Sequence, residues 1–225
     1  MTIHYRNEVH SLKEKLVALS GQVEDQLQRA VESIRHRDVK IATSVLDSDH
    51  AIDLAEVDLE EECLKILALH QPVAHDLRFI VAVLKINNDL ERIGDLAVNI
   101  AERAIFLASQ VMPGTDYDFS LMAAKTLNML RESLDALLSE DMEIAAKVRD
   151  ADNEVDEDHR NMYQQIKNSI RQSPEHLDPL INLLSISRNL ERIADHATNI
   201  AEDVIYLYTG EIVRHRFASG QISPK

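Results

Sequence analysis

The 225-residue chain has 45% apolar residues, no tryptophan, and only five glycines and five prolines, a composition typical of a helical protein with a sizeable core. Its formal net charge of −15 argues against broad contact with nucleic-acid phosphates and against a polybasic membrane anchor.

The N-terminal segment and the cysteine content predict a cytoplasmic protein. The segment MTIHYRNEVHSLKEK lacks the apolar stretch of a signal peptide, and no run of about eighteen apolar residues predicts a membrane span. Cys63 is the single cysteine, and its spacing from Leu59 and Leu67 predicts a core position. We therefore expect no insertion into a membrane, and contact with membranes only through partners.

Helix-breaking residues divide the chain into six segments with helical periodicity. Gln71-Pro72 and Ser173-Pro174 interrupt the pattern twice, and Gly210 ends the last segment. Asp38 and Asp141 follow short polar turns and are predicted N-caps. The predicted helices span residues 5–36, 39–70, 73–109, 118–139, 142–172 and 177–209.

The second half of the chain repeats the first. Leu84–Ile105 recurs one hundred residues later at Leu184–Ile205 with 13 of 22 positions identical, and Asp38–Asp53 recurs as Asp141–Asp156 at an offset of 103. The predicted fold is therefore all-α, with two tandem, sequence-related three-helix bundles built from six long antiparallel helices. The predicted units are 1–110, 117–210 and a flexible C-terminal tail, 211–225.

The third helix of each half carries carboxylates between apolar ends. Its core-facing seam in the first half is predicted to be Ile86, Leu90, Ile93, Ala97, Ile100 and Ala104. The opposite side of the same helix is apolar at both ends and acidic in the middle, whereas a solvated face would be polar throughout. We therefore expect these carboxylates to lie in a partly buried seam.

Carboxylates occur four times as pairs spaced by four residues, an arrangement that destabilises a helix by a few tenths of a kcal/mol. The pairs are Asp49 and Asp53, Glu91 and Asp95, Asp152 and Asp156, and Glu191 and Asp195. An antiparallel hairpin that turns at Pro72 places Asp53 level with Glu91, and the second hairpin repeats this alignment. Such oxygen-rich sets suit Fe(III), Mn(II), Mg(II) or Ca(II).

Further side chains on the third helices are candidates to complete or orient the ligand shell. They are Asn99 and Glu102 in the first half, and Asn199 and Glu202 in the second. His196 follows Asp195 directly and points about 100° away on the helix, which favours packing over metal binding. The simpler alternative is a salt-bridged acidic ridge in which Arg92 and Arg192 neutralise their neighbours.

These motifs resemble the PhoU family of bacterial phosphate-uptake regulators. The resemblance is carried by Asp49xxxAsp53, by residues 71–78 (QPVAHDLR), by the Glu-Arg-Ile-Gly-Asp of 91–95 and by 191–210, and it covers about residues 5 to 215. It implies two related three-helix bundles, often a homodimer, and metal clusters held by E/D-xxx-D pairs. The metal is iron in some members, and other cations or none elsewhere. All eight paired carboxylates match that signature.

The resemblance also implies a function. Members restrain the phosphate-starvation response by linking the phosphate ABC transporter, through its ATPase, to a phosphate-sensing histidine kinase. Within this chain, the Asp76-Leu77-Arg78 sequence after the first turn has no counterpart after the second turn, where Glu175-His176-Leu177 stands. Any role of Asp76 and Arg78 is therefore expected in one half only.

Two other functions compete with this one. A ferritin-like di-metal oxidase would carry Glu-x-x-His motifs, which the sequence lacks. The nearest approaches are His50 and His159, which follow Asp47 and Asp156 by three residues. The sequence contains no glycine-rich phosphate loop, so nucleotide hydrolysis is not expected. A metal-free helical scaffold is the remaining alternative, and we expect no enzyme activity.

Overall fold

The computed structural model describes residues 3–111 and 117–210, so the predicted tail lies outside the described residues. This part of the chain is all-α and contains no strand. The helices are α1 (Ile3–His36), α2 (Val39–His70), α3 (His75–Ala108), α4 (Ser120–Ser139), α5 (Met142–Gln172) and α6 (Leu177–Thr209). A short 3-10 helix, Pro174–His176, precedes α6.

Both predicted N-caps are present. The Asp38 side chain accepts hydrogen bonds from the backbone N–H groups of Lys40 at 2.8 Å and Ile41 at 3.3 Å. Asp141 accepts the equivalent pair of bonds at 2.8 and 3.2 Å. Because each cap satisfies N–H groups that a helix leaves unpaired, it fixes where the second helix of each bundle begins.

The first hairpin turns through two residues in the left-handed region. Gln71 closes α2 with φ 46°, and Ala74 precedes α3 with φ 52°, so α3 begins at His75 rather than at the predicted residue 73. Gly210 ends α6 with φ 72°, a conformation that glycine adopts without a Cβ clash. The second hairpin turns through the 3-10 helix instead.

Each half of the chain forms a three-helix bundle around an apolar core. The first bundle contains α1, α2 and α3, and the second contains α4, α5 and α6. The predicted seam of α3 is buried, with every member at most 3% exposed. Cys63 is also buried, as its spacing predicted, and burial raises the pKa of its thiol to about 12.

The two bundles join along α3 and α6, which run antiparallel. Arg78 Nε donates to the Leu207 carbonyl at 3.0 Å, and Lys85 Nζ lies 3.0 Å from Asp203 Oδ1. The residue numbers of the contacts thus rise along α3 while those of their partners fall along α6. Arg78 belongs to the sequence found after the first turn only, and here it anchors the end of α6.

No helix within residues 3–111 and 117–210 is long and apolar enough to span a bilayer.

Candidate metal centre

The hairpin of α2 and α3 brings the first four predicted carboxylates into electrostatic reach of one another. Burial raises the pKa of Asp49, and repulsion from Asp53 and Asp95 adds to the rise against a hydrogen bond from Gln26. Burial also raises the pKa of Glu91, with added repulsion from Asp95 and Asp53. The interactions of Asp49 with Asp95 and of Glu91 with Asp53 match the alignment expected from a turn at Pro72.

Arg92 neutralises part of this first cluster. Its Nε lies 3.3 Å from Glu91 Oε2, and its Nη1 lies 3.3 Å from Asp95 Oδ2. The Arg92 side chain is 52% exposed, so water and salt screen both contacts and limit their contribution. The salt-bridged ridge is thus present locally, yet the pKa of Glu91 remains raised.

The second cluster, on α5 and α6, contains Asp152, whose pKa is strongly raised. Burial and repulsion from Asp195, Asp156 and Glu191 raise the pKa of Asp152 to about 6. Burial, followed by repulsion from Asp156, raises the pKa of Asp195 as well. A bound cation would relieve this repulsion, because it favours the ionised form of every carboxylate around it.

A side chain of the first helix supports the first aspartate of the cluster in the first half only. In the first half, Gln26 of α1 is fully buried, and its Nε2 lies 3.4 Å from Asp49 Oδ1. The equivalent residue in α4 is Met129, which is buried and has no donor group for Asp152. Sequence reasoning missed Gln26, although a polar residue beside Val23 and Leu27 on an apolar face was a usable signal.

A further titratable side chain lies beside each cluster, and the two differ between the halves. Glu56 of α2 accepts a hydrogen bond from Asn87 at 3.1 Å, whereas His159, its equivalent on α5, lies 2.8 Å from Ser187 Oγ. Burial raises the pKa of Glu56 and lowers that of His159. Comparing the two halves at an offset of 103 would have identified both residues from sequence.

The candidates to extend the first ligand shell lie at the edge of the cluster. Asn99 Nδ2 donates to the Asp95 backbone carbonyl at 2.9 Å, and the Glu102 side chain is exposed. Asn99 therefore supports the helix that carries Asp95. Their role as ligands stays a prediction.

The corresponding residues of the second half contact other elements. Asn199 Nδ2 lies 3.5 Å from Asp89 Oδ1 across the α3–α6 joint, where His196 also binds Asp89. Glu202 Oε1 lies 3.6 Å from Arg149 Nε on α5. His196 thus packs between the bundles, as its position on the helix predicted, and Glu202 carries an ion pair.

The donor chemistry of both clusters fits hard cations, but the side chains do not converge in this conformation. Across residues 3–111 and 117–210, no three His, Cys, Asp or Glu side chains are arranged closely enough to hold a metal ion. Mutual repulsion keeps uncompensated carboxylates apart, and none of the eight is fully buried.

Comparison with known proteins places the whole chain in one family. The PhoU domain matches residues 16–104 and 119–204, so each bundle contains one copy. The chain is 37% identical over 209 residues to the phosphate-specific transport system accessory protein PhoU homolog of Aquifex aeolicus, covering 93% of this chain and 95% of that protein. Its Pseudomonas aeruginosa counterpart is 36% identical over 212 residues and is covered to 88%.

Solved structures agree with the sequence match. The crystal structure of PhoU from Pseudomonas aeruginosa superposes with a TM-score of 0.89 at 35% identity, covering 92% of this chain and all of that one. The phosphate transport system regulatory protein PhoU from Streptococcus pneumoniae superposes with a TM-score of 0.84 at 27% identity, covering 93% and 99%. With both repeats matched along nearly the full length, the chain belongs to the PhoU domain family.

Proposed function

We propose that this protein is the accessory regulatory protein of a phosphate-specific transport system. The match to relatives of that description extends over 93% of the chain, and the family domain matches both repeats. This full-length match is the observation that carries the proposal. In this role the protein restrains phosphate uptake and the phosphate-starvation response when phosphate is plentiful.

The proposed partners are the ATPase of the phosphate ABC transporter and a phosphate-sensing histidine kinase. The chain offers an elongated helical surface with a net charge of −15, which favours docking against basic surfaces of partners. Such docking would be steered by charge, and its association rate would fall as salt rises. The protein would act by holding the kinase inactive, with no catalytic step of its own.

We further propose that each half binds metal ions through its carboxylate cluster, with iron as the first candidate and other divalent cations as alternatives. Asp49, Asp53, Glu91 and Asp95 would hold the metal in the first half. Asp152, Asp156, Glu191 and Asp195 would hold it in the second. A bound cation would join the two helices of each hairpin and offset the burial and repulsion that now raise the pKa of Asp152.

A complementation experiment tests the regulatory role. A bacterial strain that lacks its own PhoU protein and carries a reporter driven by a phosphate-starvation promoter would express this chain in phosphate-rich medium. Restored repression is expected. A reporter that stays fully active while the protein accumulates in folded form would overturn the proposal.

A binding experiment tests the partners directly. The purified chain would be presented, with and without metal, to the transporter ATPase and to the kinase from the same organism, and association would be followed by biolayer interferometry. We expect binding to both, with an association rate that falls as salt rises from 50 to 300 mM. Absence of binding to either partner under all these conditions would reject the proposed coupling.

One observation favours a second candidate, a carboxylate-bridged di-metal oxidase. His159 places an imidazole beside the second cluster, 2.8 Å from Ser187 Oγ, and histidine with carboxylates is the ligand type of that enzyme class. Oxygen consumption by the iron-loaded protein separates the two functions. Multiple turnovers that vanish in Asp152→Asn would establish the oxidase, whereas a single stoichiometric uptake would reject it.

We also propose a homodimer. The outer face of α2 exposes Leu54, Val57 and Leu64 at 59, 49 and 52%, a stripe of apolar surface that a second copy would cover. Light scattering coupled to size-exclusion chromatography gives the mass directly. A monomeric mass at micromolar concentration would reject the dimer, and the Leu54→Glu and Val57→Glu variants should yield monomers if this face forms the contact.

A further inference from the structure

A cavity of about 530 Å³ lies at the joint between the two bundles, away from both carboxylate clusters. The ends of α1 and α3, the start of α4 and the first half of α6 form its walls. Small-molecule sites commonly occupy about 300–1,000 Å³ and favour junctions between domains. The size and the place of this cavity therefore match those of a ligand site.

One part of the cavity wall, called the floor here, is apolar. It includes Ile34, Leu107, Phe119 and Leu183, one from each of the four segments that meet there. An inorganic ion would leave this floor facing water, whereas an apolar group would cover it. The floor thus selects a ligand with an apolar body.

Tyr117 lines the same cavity and carries an unsatisfied hydroxyl group. The residue is 9% exposed, and its buried hydroxyl has no partner among the residues that the structure describes. An unsatisfied buried hydroxyl costs about 1–3 kcal/mol, and native structures rarely leave one without a reason. A ligand oxygen would satisfy it after a rotation that turns the hydroxyl, which is fully buried here, toward the cavity.

The charged lining gives the cavity the opposite sign to the chain as a whole. Arg35 and Arg37 line it together with one acidic residue, Asp118, so its formal charge is positive while that of the chain is −15. Arg37 Nη2 donates to the carbonyls of Leu107 and Gln110 at 3.4 Å each, which holds its side chain across the end of α3. Guanidinium groups suit carboxylate and phosphate oxygens.

We propose that this cavity binds a small amphipathic anion, with a carboxylate or phosphate-ester group at Arg35 and Arg37 and an apolar body over the floor. An oxygen of the ligand pairs with the Tyr117 hydroxyl. The ligand would bridge residues of both bundles and so favour their present arrangement. This site is independent of the carboxylate clusters, and it does not require that either of them binds metal.

Calorimetric titration of the full chain with decanoate, octyl phosphate and decanol tests the proposal. Decanoate or octyl phosphate should bind with a stoichiometry of one, and the tighter of the two identifies the headgroup. Decanol should bind at least roughly tenfold more weakly, because it lacks the charge-assisted bonds to the arginines. Decanol binding as tightly as both anions would overturn the anion assignment, and the absence of any binding would overturn the site.

Two single variants locate the binding. Tyr117→Phe should weaken the better anion roughly threefold to tenfold, and Arg35→Gln should weaken it by about tenfold or more. The matched controls are Tyr163→Phe and Arg171→Gln, which alter an exposed tyrosine and an exposed arginine of α5. Equal affinity in wild type, Tyr117→Phe and Arg35→Gln would place the anion elsewhere and reject the proposal.

A cavity-filling variant provides an independent check. Ala123 lines the cavity and is 1% exposed, so Ala123→Leu should occupy space that the ligand needs. With an unchanged helical circular dichroism spectrum, its affinity should fall at least roughly tenfold; unchanged affinity would contradict the proposal. Should this variant not fold, Tyr117→Phe and Arg35→Gln decide the question alone.

Discussion

His196 Nδ1 lies 2.8 Å from Asp89 Oδ1 across the α3–α6 joint, so the two bundles meet through a carboxylate that is only 6% exposed. The repeat places Leu96 and Asn189 at the equivalent positions, and these cannot form the same ion pair. The joint is therefore asymmetric although the bundles are related in sequence. The pair identifies which face of α6 meets α3.

Replacing this histidine should weaken the joint. His196→Leu leaves the buried Asp89 carboxylate with Asn199, 3.5 Å away, and an underpaired buried group costs about 1–3 kcal/mol. Urea unfolding at neutral pH should report a loss of this size. The double variant His196→Leu/Asp89→Asn copies the pair from the equivalent positions and should recover most of the stability. His50→Leu, at an exposed position, is the control; a loss no larger than the control's would contradict the prediction.

The metal-free protein should lose stability as pH rises through the acidic range, partly because of Asp152. Burial and repulsion from Asp195 raise the pKa of Asp152 to about 6 in the folded state, above the ~3.9 of an unfolded aspartate. From about pH 4 to about pH 6 the folded chain holds a proton that the unfolded chain has released, so the free energy of unfolding falls with rising pH.

Asp152→Asn removes this titration. In the presence of chelator, the Tm of the variant should exceed that of wild type at about pH 7 and equal it at about pH 3.5, below both pKa values. Differential scanning calorimetry at the two pH values measures the difference. Asp47→Asn, at an exposed position on α2, should change neither Tm. A lower Tm for Asp152→Asn at neutral pH would contradict the repulsion inferred for this cluster.

The two clusters should bind metal independently. Glu91→Gln/Asp95→Asn should remove the metal of the first half, and Glu191→Gln/Asp195→Asn that of the second, because each pair supplies the third-helix side of its own cluster. Elemental analysis of dialysed protein reports the metal content per chain.

Asp150→Asn/Glu157→Gln provides the matched control for this experiment. It removes two exposed carboxylates of α5 that lie outside the cluster. Its metal content should equal that of wild type. If either variant that alters one half lost all metal, the clusters would not bind metal independently. If both variants kept their full metal content, the assignment of the clusters would be refuted.

Removing the metal should lower the stability of the whole chain. A cation that binds the folded state alone contributes about 2.7 kcal/mol when its free concentration is a hundred times its Kd, and the contribution rises with concentration. Thermal unfolding before and after chelation, followed by titration of iron, manganese or magnesium, measures this effect. A metal-free scaffold predicts the same Tm throughout, and that result would leave the clusters without a structural role.

Local sequence determines the helices and their alignment, whereas contacts between non-adjacent helices depend on helix rotation. The caps at Asp38 and Asp141 and the pairing of Asp49 with Asp95 follow from spacing around a turn, and the structure contains all of them. Gln26 reaches Asp49 from α1, and His196 reaches Asp89 from the other bundle. Such pairs require crossing geometry that no spacing within one hairpin specifies.

Gln26 and Gly94 also form a pair that the second half replaces with two apolar residues. A Cβ added at Gly94 would lie 3.2 Å from Gln26 Oε1, whereas the equivalent positions hold Ala194 and Met129, both buried. The Gln26 amide that supports Asp49 is thus compatible with glycine at position 94. The Met129 thioether is compatible with alanine at the equivalent position, 194. We expect the two positions to be coupled.

Exchanging both residues should reveal this coupling. Gly94→Ala alone gains up to about 1 kcal/mol of helix propensity but presses on the buried amide, whereas Gly94→Ala in the Gln26→Met background meets a flexible side chain. The alanine should therefore be more stabilising, by about 0.5–1 kcal/mol, in the second background than in the first. Urea unfolding of the four proteins of this cycle, metal-free, gives the coupling energy. Additive effects would mean that Gln26 moves aside at no cost, and that its contact with Asp49 does not fix its position.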